Sequence, residues 1–215
     1  MGIVDVESIV KECIEELLEE YNDHKENFLT EGDVTSSLFC MLKAKLGNHG
    51  SAGIKVHREL RPYIKVPQAS GSGRHVIKIV EGKAKWSLHD PPNSGSVIDI
   101  VLTSSGMDYF ESAETIALKR KRKYWRLLTY PLEAFLVCIE VKIRVSGNIR
   151  RIEKDVKKLG KIRHKLRELG KNCFVFLVVV DRFAEGKSKK KIEEYCKKHD
   201  VLVFIARSHK CNRTD

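Results

Sequence analysis

Hydrophobic positions recur along this chain with two different periods, and the periods separate predicted helices from predicted strands. A spacing of three and four residues, which places apolar side chains on one face of a helix, occurs in four segments. These predicted helices are residues 3–21, 30–46, 148–169 and 188–199. Alternating or continuous apolar runs predict strands, which are residues 54–66, 76–86, 97–102, 135–142, 173–180 and 201–206. The order of these elements predicts an α/β fold with a central mixed β-sheet flanked by helices.

Local signals mark the ends and the surroundings of several predicted elements. Thr30 and Asp33 have the spacing of a capping box, which predicts the start of a helix. Gly170 follows the last apolar position of a long helical pattern and predicts its C-terminal end. The nearly all-apolar strand at 173–180 predicts a central position that is covered on both faces. With strand 135–142 and the helix between them, it predicts a right-handed parallel crossover.

The composition is typical of a globular chain without a membrane segment. The 215 residues are 42% hydrophobic and 32% charged, which predicts a single domain with a sizeable core. We divide residues 1–215 into a helical part (1–50), a sheet core (54–206) and an inserted segment (103–134). No apolar run approaches the roughly 20 residues that span a bilayer, and the N-terminus lacks the basic start of a secretion signal. We therefore expect a cytoplasmic protein with no membrane partner. The six cysteines contain no C-x-x-C pair, which favours buried free thiols over zinc or disulfides.

Positive charge is unevenly distributed along the chain. The net charge is +11, from 40 basic and 29 acidic residues. Residues 1–33 hold 11 acids and 2 bases, a balance of −9, so the remaining residues carry +20. A basic body of this size points to a polyanionic partner, with nucleic acid ahead of an anionic membrane surface.

The inserted segment carries a dense run of basic residues. Six of the eight residues at 119–126 are basic, and Tyr124 and Trp125 are interleaved with them. Basic side chains bind phosphates and aromatic rings stack on bases, so we predict nucleic-acid contacts here; a solvated basic turn or a localisation signal is the alternative. The predicted contacts are Lys119, Arg120, Lys121, Arg122, Lys123 and Arg126, together with Lys154 and Lys158 of the basic helix, which we expect to be free to meet solvent or phosphates. Within the same segment, residues 108–118 fit a short helix.

Two predicted strands place carboxylates in apolar surroundings. In residues 135–142, Glu140 and Lys142 lie two positions apart and therefore on the same face of the strand. Asp99 interrupts the apolar strand at 97–102, where an isolated carboxylate is costly unless a partner or a metal compensates its charge. If the two strands are neighbours, Asp99 and Glu140 converge on one divalent cation, and Lys142 lies beside the water that the cation activates.

This constellation resembles the PD-(D/E)XK nuclease superfamily, whose fold is called restriction-endonuclease-like. Ile98-Asp99 correspond to the first half-motif and Glu140-Val141-Lys142 to the second, with Ile standing where Pro is common. The resemblance implies a Mg²⁺-dependent nuclease, with Mn²⁺ as an alternative metal. It implies that Asp99, Glu140 and the carbonyl of Val141 hold the cation and that Lys142 assists the attacking water. It also implies DNA as the substrate and a homodimer as one arrangement that cuts both strands.

Enzymes of this superfamily often take one more acid from an early helix. Glu31 is the first candidate, Glu16 stands behind it, and Glu59 of the strand at 54–66 is a third. Glu31 fits equally well as a first-turn acid at the positive end of a helix dipole. Two alternatives to an enzyme also stay open. One is a non-catalytic nucleic-acid-binding protein that retains the nuclease fold, and the other is a structural ion pair between Glu140 and Lys142.

Overall fold

The computed structural model describes residues 5–48, 53–67, 75–79, 98–104, 110–111, 128–143, 149–180 and 187–206. The residues of the chain pack into two units. One strand and one helix each have residues in both units. The first unit contains Met1–Ser51, Ile139–Gly160 and Phe174–Asp215, and the second contains Ala52–Cys138 and Lys161–Cys173. The single domain that we expect for residues 1–215 stays a prediction.

Two helices begin the first unit and pack against each other. They are α1 (Val6–Asp23) and α2 (Glu31–Asn48), and the apolar stripe that predicts α1 is buried. Lys45 of α2 forms ion pairs with two acids of α1, Glu12 at 3.2 Å and Glu16 at 2.6 Å. Part of the acidic face of α1 therefore contacts α2, and the hydrogen bond that Lys45 donates to Glu16 is the main cause that raises the pKa of Lys45.

The start of α2 has the reciprocal hydrogen bonds of a capping box. The backbone N–H of Asp33 donates to Thr30 Oγ1 at 3.2 Å, and Asp33 Oδ2 accepts from the backbone N–H groups of Thr30 at 2.7 Å and Leu29 at 3.0 Å. These bonds favour the ionised carboxylate and lower the pKa of Asp33, with the bond from the Thr30 backbone as the largest cause. The predicted helix start is confirmed.

The rest of the first unit is a layer of strands with helices packed against it. The strand order is β6-β7-β8, where β6 is Phe135–Ile143, β7 is Phe174–Val180 and β8 is Leu202–Ile205. β6 and β7 are joined by α3 (Ile149–Glu168), and α4 (Lys187–Lys198) packs on β8, which is parallel to β7. Every residue of β7 after the first is buried, so the predicted central strand is confirmed.

α3 ends as its sequence predicts. Gly170 has a φ of +68°, the left-handed conformation that glycine adopts without strain. The backbone N–H of Lys171 donates to the carbonyl of Leu166 at 2.9 Å, and that of Gly170 donates to Arg167 at 3.0 Å. This pair of bonds satisfies carbonyls at the end of the helix and stops it at the predicted place.

The second unit is built on one long strand. β1 (Ile54–Pro67) pairs antiparallel with β2 (His75–Ile79) and β3 (Ile98–Ser104), and it pairs parallel with β5 (Leu128–Pro131). The two-residue strand β4 (Phe110–Glu111) lies beside β5, and the first residues of β6 complete the order β4-β5-β1-β3-β6.

The sheet is mixed and helices flank it, so the predicted fold class is confirmed at that level. One local expectation is wrong, because two residues of the helix proposed at 108–118 form β4; the others lie outside the described residues.

Five cysteines fall within the described residues, and all are free thiols. Burial raises the pKa of Cys13 to about 11 and that of Cys196 to about 12, so neither is a reactive thiolate at neutral pH. Cys138 and Cys173 have their sulfur atoms 3.9 Å apart. Of the helices in the described part of the chain, none is long and apolar enough to cross a membrane.

Candidate active site

The C-terminal part of β6 buries a carboxylate and an ammonium group side by side. The exposed fraction of the side chain is 2% for Glu140 and 8% for Lys142, and Lys142 Nζ lies 3.4 Å from Glu140 Oε2. Strand alternation places the two residues on one face, as the sequence predicts. The ion pair that this spacing allows is therefore present.

The ammonium of Lys142 is surrounded by oxygen atoms from three segments of the first unit. Its Nζ lies 2.7 Å from the carbonyl of Val141, 3.3 Å from Glu31 Oε1 and 3.5 Å from Asp155 Oδ2. Glu31 is the first residue of α2 and 35% exposed, whereas Asp155 lies on α3. The structure thus brings the first candidate for the additional acid into contact with Lys142, although 111 positions separate them in the sequence.

Lys158 is a second lysine on Glu140, and here the structure corrects an expectation. Lys158 is not free to meet solvent, because its side chain is only 5% exposed and its ammonium forms an ion pair with Glu140 Oε1. The same ammonium lies 3.4 Å from Asp155 Oδ1, one turn earlier on α3. Lys158 lies four positions before the fully buried Ile162, so the helix places both side chains on one face. We call Glu31, Glu140, Lys142, Asp155 and Lys158 the charge cluster.

The charge cluster contains oxygen ligands of the kind that a hard cation prefers, but these ligands are not already arranged as a metal site. Three carboxylates and two ammonium groups give it a formal charge of −1. Mg²⁺ uses one or two carboxylates and keeps several waters, so Glu140 and the carbonyl of Val141 suit it as donors. Among the described residues, no three His, Cys, Asp or Glu side chains gather as a metal site. The oxygens of Glu140 are directed at ammonium groups instead.

Asp99 and Glu59 lie on neighbouring strands of the second unit. Asp99 is partly buried in β3, between the fully buried Ile98 and Ile100. Arg58 pairs with Ile100 and Leu60 with Ile98, so the register places the exposed Glu59 opposite Asp99.

Glu59 has a φ of +52°, which is unusual for a residue with a side chain. Asp99 belongs to the second unit and Glu140 to the first. Their convergence on one cation stays a prediction.

Some of the other candidate residues are described by the structure and some are not. Of the described ones, Glu16 binds Lys45, and Lys154 is exposed on α3. The predicted nucleic-acid contacts at residues 119–126 lie outside the described residues.

Asp155 is a member of the charge cluster that the sequence did not predict. Its signal is the i, i+3 spacing to Lys158 beside a buried helical stripe, which pairs an acid with a base on one helix face.

No protein-family model and no curated protein sequence matches this chain. Solved structures of NucC are similar to it at low identity. The cAAA-bound form from P. aeruginosa ATCC27853 is 11% identical, with a TM-score of 0.46, over 97% of this chain and 78% of that one. The cAAA-bound form from E. coli MS115-1 is 10% identical, with a TM-score of 0.44, over 96% and 77%. The apo form of the latter is 11% identical, with a TM-score of 0.46, over 91% and 75%. Likeness at this level assigns neither a family nor an activity to the chain.

Proposed function

We propose that this protein is a metal-dependent nuclease with a restriction-endonuclease-like fold, and that it hydrolyses phosphodiester bonds in DNA. The observation that carries the proposal is the meeting of Glu31, Glu140 and Lys142. Lys142 Nζ lies 3.3 Å from Glu31 and 3.4 Å from Glu140. All three residues are predicted site residues, and an acid from an early helix beside a strand-borne Glu-x-Lys pair is the arrangement that the superfamily resemblance implies.

In this proposal, Lys142 acts on the attacking water and on the phosphate. Its ammonium is held by the carbonyl of Val141 and by carboxylates on two helices and its own strand. A positive charge fixed in a site closed to bulk water stabilises the charge that develops on a phosphate without reorganising. The ligands that we propose for Mg²⁺, or for Mn²⁺ in its place, are Glu140, the carbonyl of Val141 and Asp99. When bound, the cation supplies a more acidic water and compensates negative charge on the phosphate.

Basic residues supply the charge that holds a nucleic-acid backbone. Arg150, Lys154 and Lys157 are exposed on α3, and the segment at 119–126 adds six more basic residues. Contacts of this kind position a duplex without reading its sequence. We propose a cytoplasmic protein that acts as a homodimer when it cuts both strands.

The test is cleavage of plasmid, linear duplex, single-stranded and branched DNA in the presence of Mg²⁺, Mn²⁺ or EDTA. We expect metal-dependent cleavage by the wild-type protein. We expect a rate at least about a hundredfold lower for Glu140→Gln and for Lys142→Met, because each substitution removes a group that acts at the reacting phosphate. Glu153→Gln removes an acid of α3 outside the charge cluster and is the matched control, with an unchanged rate. Cleavage that survives in both site variants contradicts the proposal.

A non-catalytic nucleic-acid-binding protein is the second candidate, because one observation favours it. Both carboxylate oxygens of Glu140 face ammonium groups, those of Lys142 and Lys158. In this state the acid is neutralised within the protein. Binding of DNA without cleavage under any metal, equally by the wild-type protein and Glu140→Gln, supports this candidate.

A further inference from the structure

Lys158 occupies one oxygen of the carboxylate on which the proposed nuclease depends. Its ammonium contacts Glu140 Oε1, while Lys142 Nζ lies 3.4 Å from Oε2. The exposed fraction is 2% for the side chain of Glu140 and 5% for that of Lys158, so both groups are removed from bulk water. An ammonium and a divalent cation compete for such an oxygen, because both approach the same lone pairs.

We infer that Lys158 is a resident counter-ion of Glu140 that a divalent cation displaces; this inference rests on the proposed function. A buried carboxylate without a compensating charge is costly, and Lys158 supplies that charge while the metal is absent. The lysine holds the carboxylate of Glu140 in its orientation inside the protein. It also lowers the affinity for the metal, because the cation has to exchange with an ion pair that is already formed.

Asp155 gives the displaced lysine a second acceptor within the charge cluster. Asp155 Oδ1 lies 3.4 Å from Lys158 Nζ, and the two residues are one helical turn apart on α3. The four-carbon stem of a lysine is flexible, so its ammonium can leave Glu140 and remain paired with Asp155. Lys142 Nζ also lies 3.5 Å from Asp155 Oδ2, so this acid contacts both lysines.

The charge of the cluster is consistent with such an exchange. Three carboxylates and two ammonium groups sum to −1, and a divalent cation changes the sum to +1. Both values are small, so neither state concentrates charge in a buried site. Lys158 and the divalent cation compete for the carboxylate of Glu140. Removal of the lysine therefore raises the affinity of the site for the cation.

The first measurement is the affinity for Mn²⁺ by isothermal titration calorimetry, without substrate. We expect Lys158→Gln to bind Mn²⁺ about tenfold or more tightly than the wild-type protein, because a contacting positive charge is removed. Lys158→Arg keeps the charge and should remain as weak as the wild type. Lys157→Gln removes the same charge from the adjacent, exposed position of α3 and should also remain weak.

The second measurement needs no substitution and covers the case in which Lys158→Gln fails to fold. In the wild-type protein, the side-chain NMR signals of Lys158 should shift during a Mg²⁺ titration, while those of Lys157 stay unchanged. Tighter Mn²⁺ binding by Lys158→Gln, or this selective shift, supports the inference.

Two results overturn the inference, and they differ in what they imply for the nuclease. Unchanged or weaker Mn²⁺ binding by a folded Lys158→Gln, with silent Lys158 signals, excludes displacement but leaves metal-dependent cleavage by the wild type intact. Absence of Mn²⁺ binding in the wild type and in every variant, together with silent Lys158 signals, overturns the inference and the metal-dependent nuclease together.

Discussion

At the residue scale, the charge cluster is a set of costly groups that compensate one another. Glu140, Lys142 and Lys158 are each less than a tenth exposed, and removal of one partner leaves the others uncompensated. Apolar residues of similar size often give equal or better stability than a buried ion pair. Stability alone is therefore a weak reason for this arrangement, and the chemistry of the acids and lysines is a stronger one.

The sequence allows two interpretations of Glu31, an additional acid of the site or a first-turn acid at the positive end of a helix dipole. The two interpretations predict different effects of a substitution. Its carboxylate is 35% exposed and lies 3.3 Å from Lys142 Nζ, at the first position of α2. If it is a site residue, Glu31→Gln lowers the cleavage rate about tenfold or more, because Lys142 loses a charged partner that orients it. The free energy of unfolding should change by less than about 1 kcal/mol, since the pair is partly exposed. DNA cleavage rates and urea unfolding of the same protein samples measure both quantities.

Asp33→Asn is the matched control, because Asp33 is the other first-turn acid of α2 and lies outside the charge cluster. We expect lower stability and an unchanged cleavage rate for the folded protein. The pKa of Asp33 is lowered in the folded state, so its contribution is complete above the unfolded pKa of about 3.9 and is lost as the pH falls through the folded value. The difference in Tm between the wild type and Asp33→Asn should therefore be largest near neutral pH and vanish in strong acid. Equal losses of activity in Glu31→Gln and Asp33→Asn would assign both acids to the helix start alone.

At the element scale, the sequence predicted those features that depend on residues close together in the chain. The capping box at Thr30, the end of α3 at Gly170 and the shared face of Glu140 and Lys142 each follow from a spacing of a few residues. The inward turn of Lys158 and its contact with Glu140 depend on what packs against α3, and periodicity does not encode that partner. The positive φ of Glu59 has no local signal either, because strand alternation continues on both sides of it.

The packing of α3 leads us to expect that Gly160→Ala lowers stability, which is the opposite of what helix propensity predicts. Alanine in place of a mid-helix glycine normally stabilises a helix by about 1 kcal/mol. A Cβ at Gly160 would lie 3.0 Å from the carbonyl oxygen and 3.2 Å from the Cβ of His199. Because a backbone atom has to move, we expect Gly160→Ala to lower the free energy of unfolding by about 1–3 kcal/mol, measured by urea unfolding.

Gly170→Ala separates packing from backbone strain in the same helix. No atom lies within 4 Å of a Cβ built at Gly170, but its φ of +68° is unfavourable for alanine. We expect a loss of about 1 kcal/mol there, and a smaller one for Gly170→Asn, because asparagine tolerates this conformation. A more stable Gly160→Ala protein would contradict the close approach of α3 to His199.

At the scale of the whole molecule, the uneven charge is the property that bears on substrate binding. Residues 1–33 carry −9 and the rest carries +20. α1 and α2 explain part of the acidic excess structurally, because Glu12 and Glu16 bind Lys45. At the exposed positions of α3, bases outnumber acids, and Arg150, Lys154 and Lys157 are among them. In the function that we propose, these basic residues contact the phosphates of a polyanion.

This charge distribution predicts DNA binding that depends strongly on salt. In Glu140→Gln with EDTA, so that no substrate is cut, the affinity for a short duplex should fall at least about tenfold between 50 and 200 mM salt, because binding releases counterions from the phosphates. Fluorescence anisotropy at several salt concentrations gives the slope of log K against log salt.

Replacement of the basic residues at 119–126 by glutamine should reduce that slope by about 0.9 for each phosphate that the variant no longer neutralises, and Lys154→Gln should reduce it by one such step. Glu153→Gln, next to Lys154, removes an acid instead and should not reduce the slope. A duplex affinity that is insensitive to salt, or a slope unchanged in both basic variants, would exclude Lys154 and the basic residues at 119–126 from the binding site. The buried charge cluster would then be what remains in support of a nucleic-acid function.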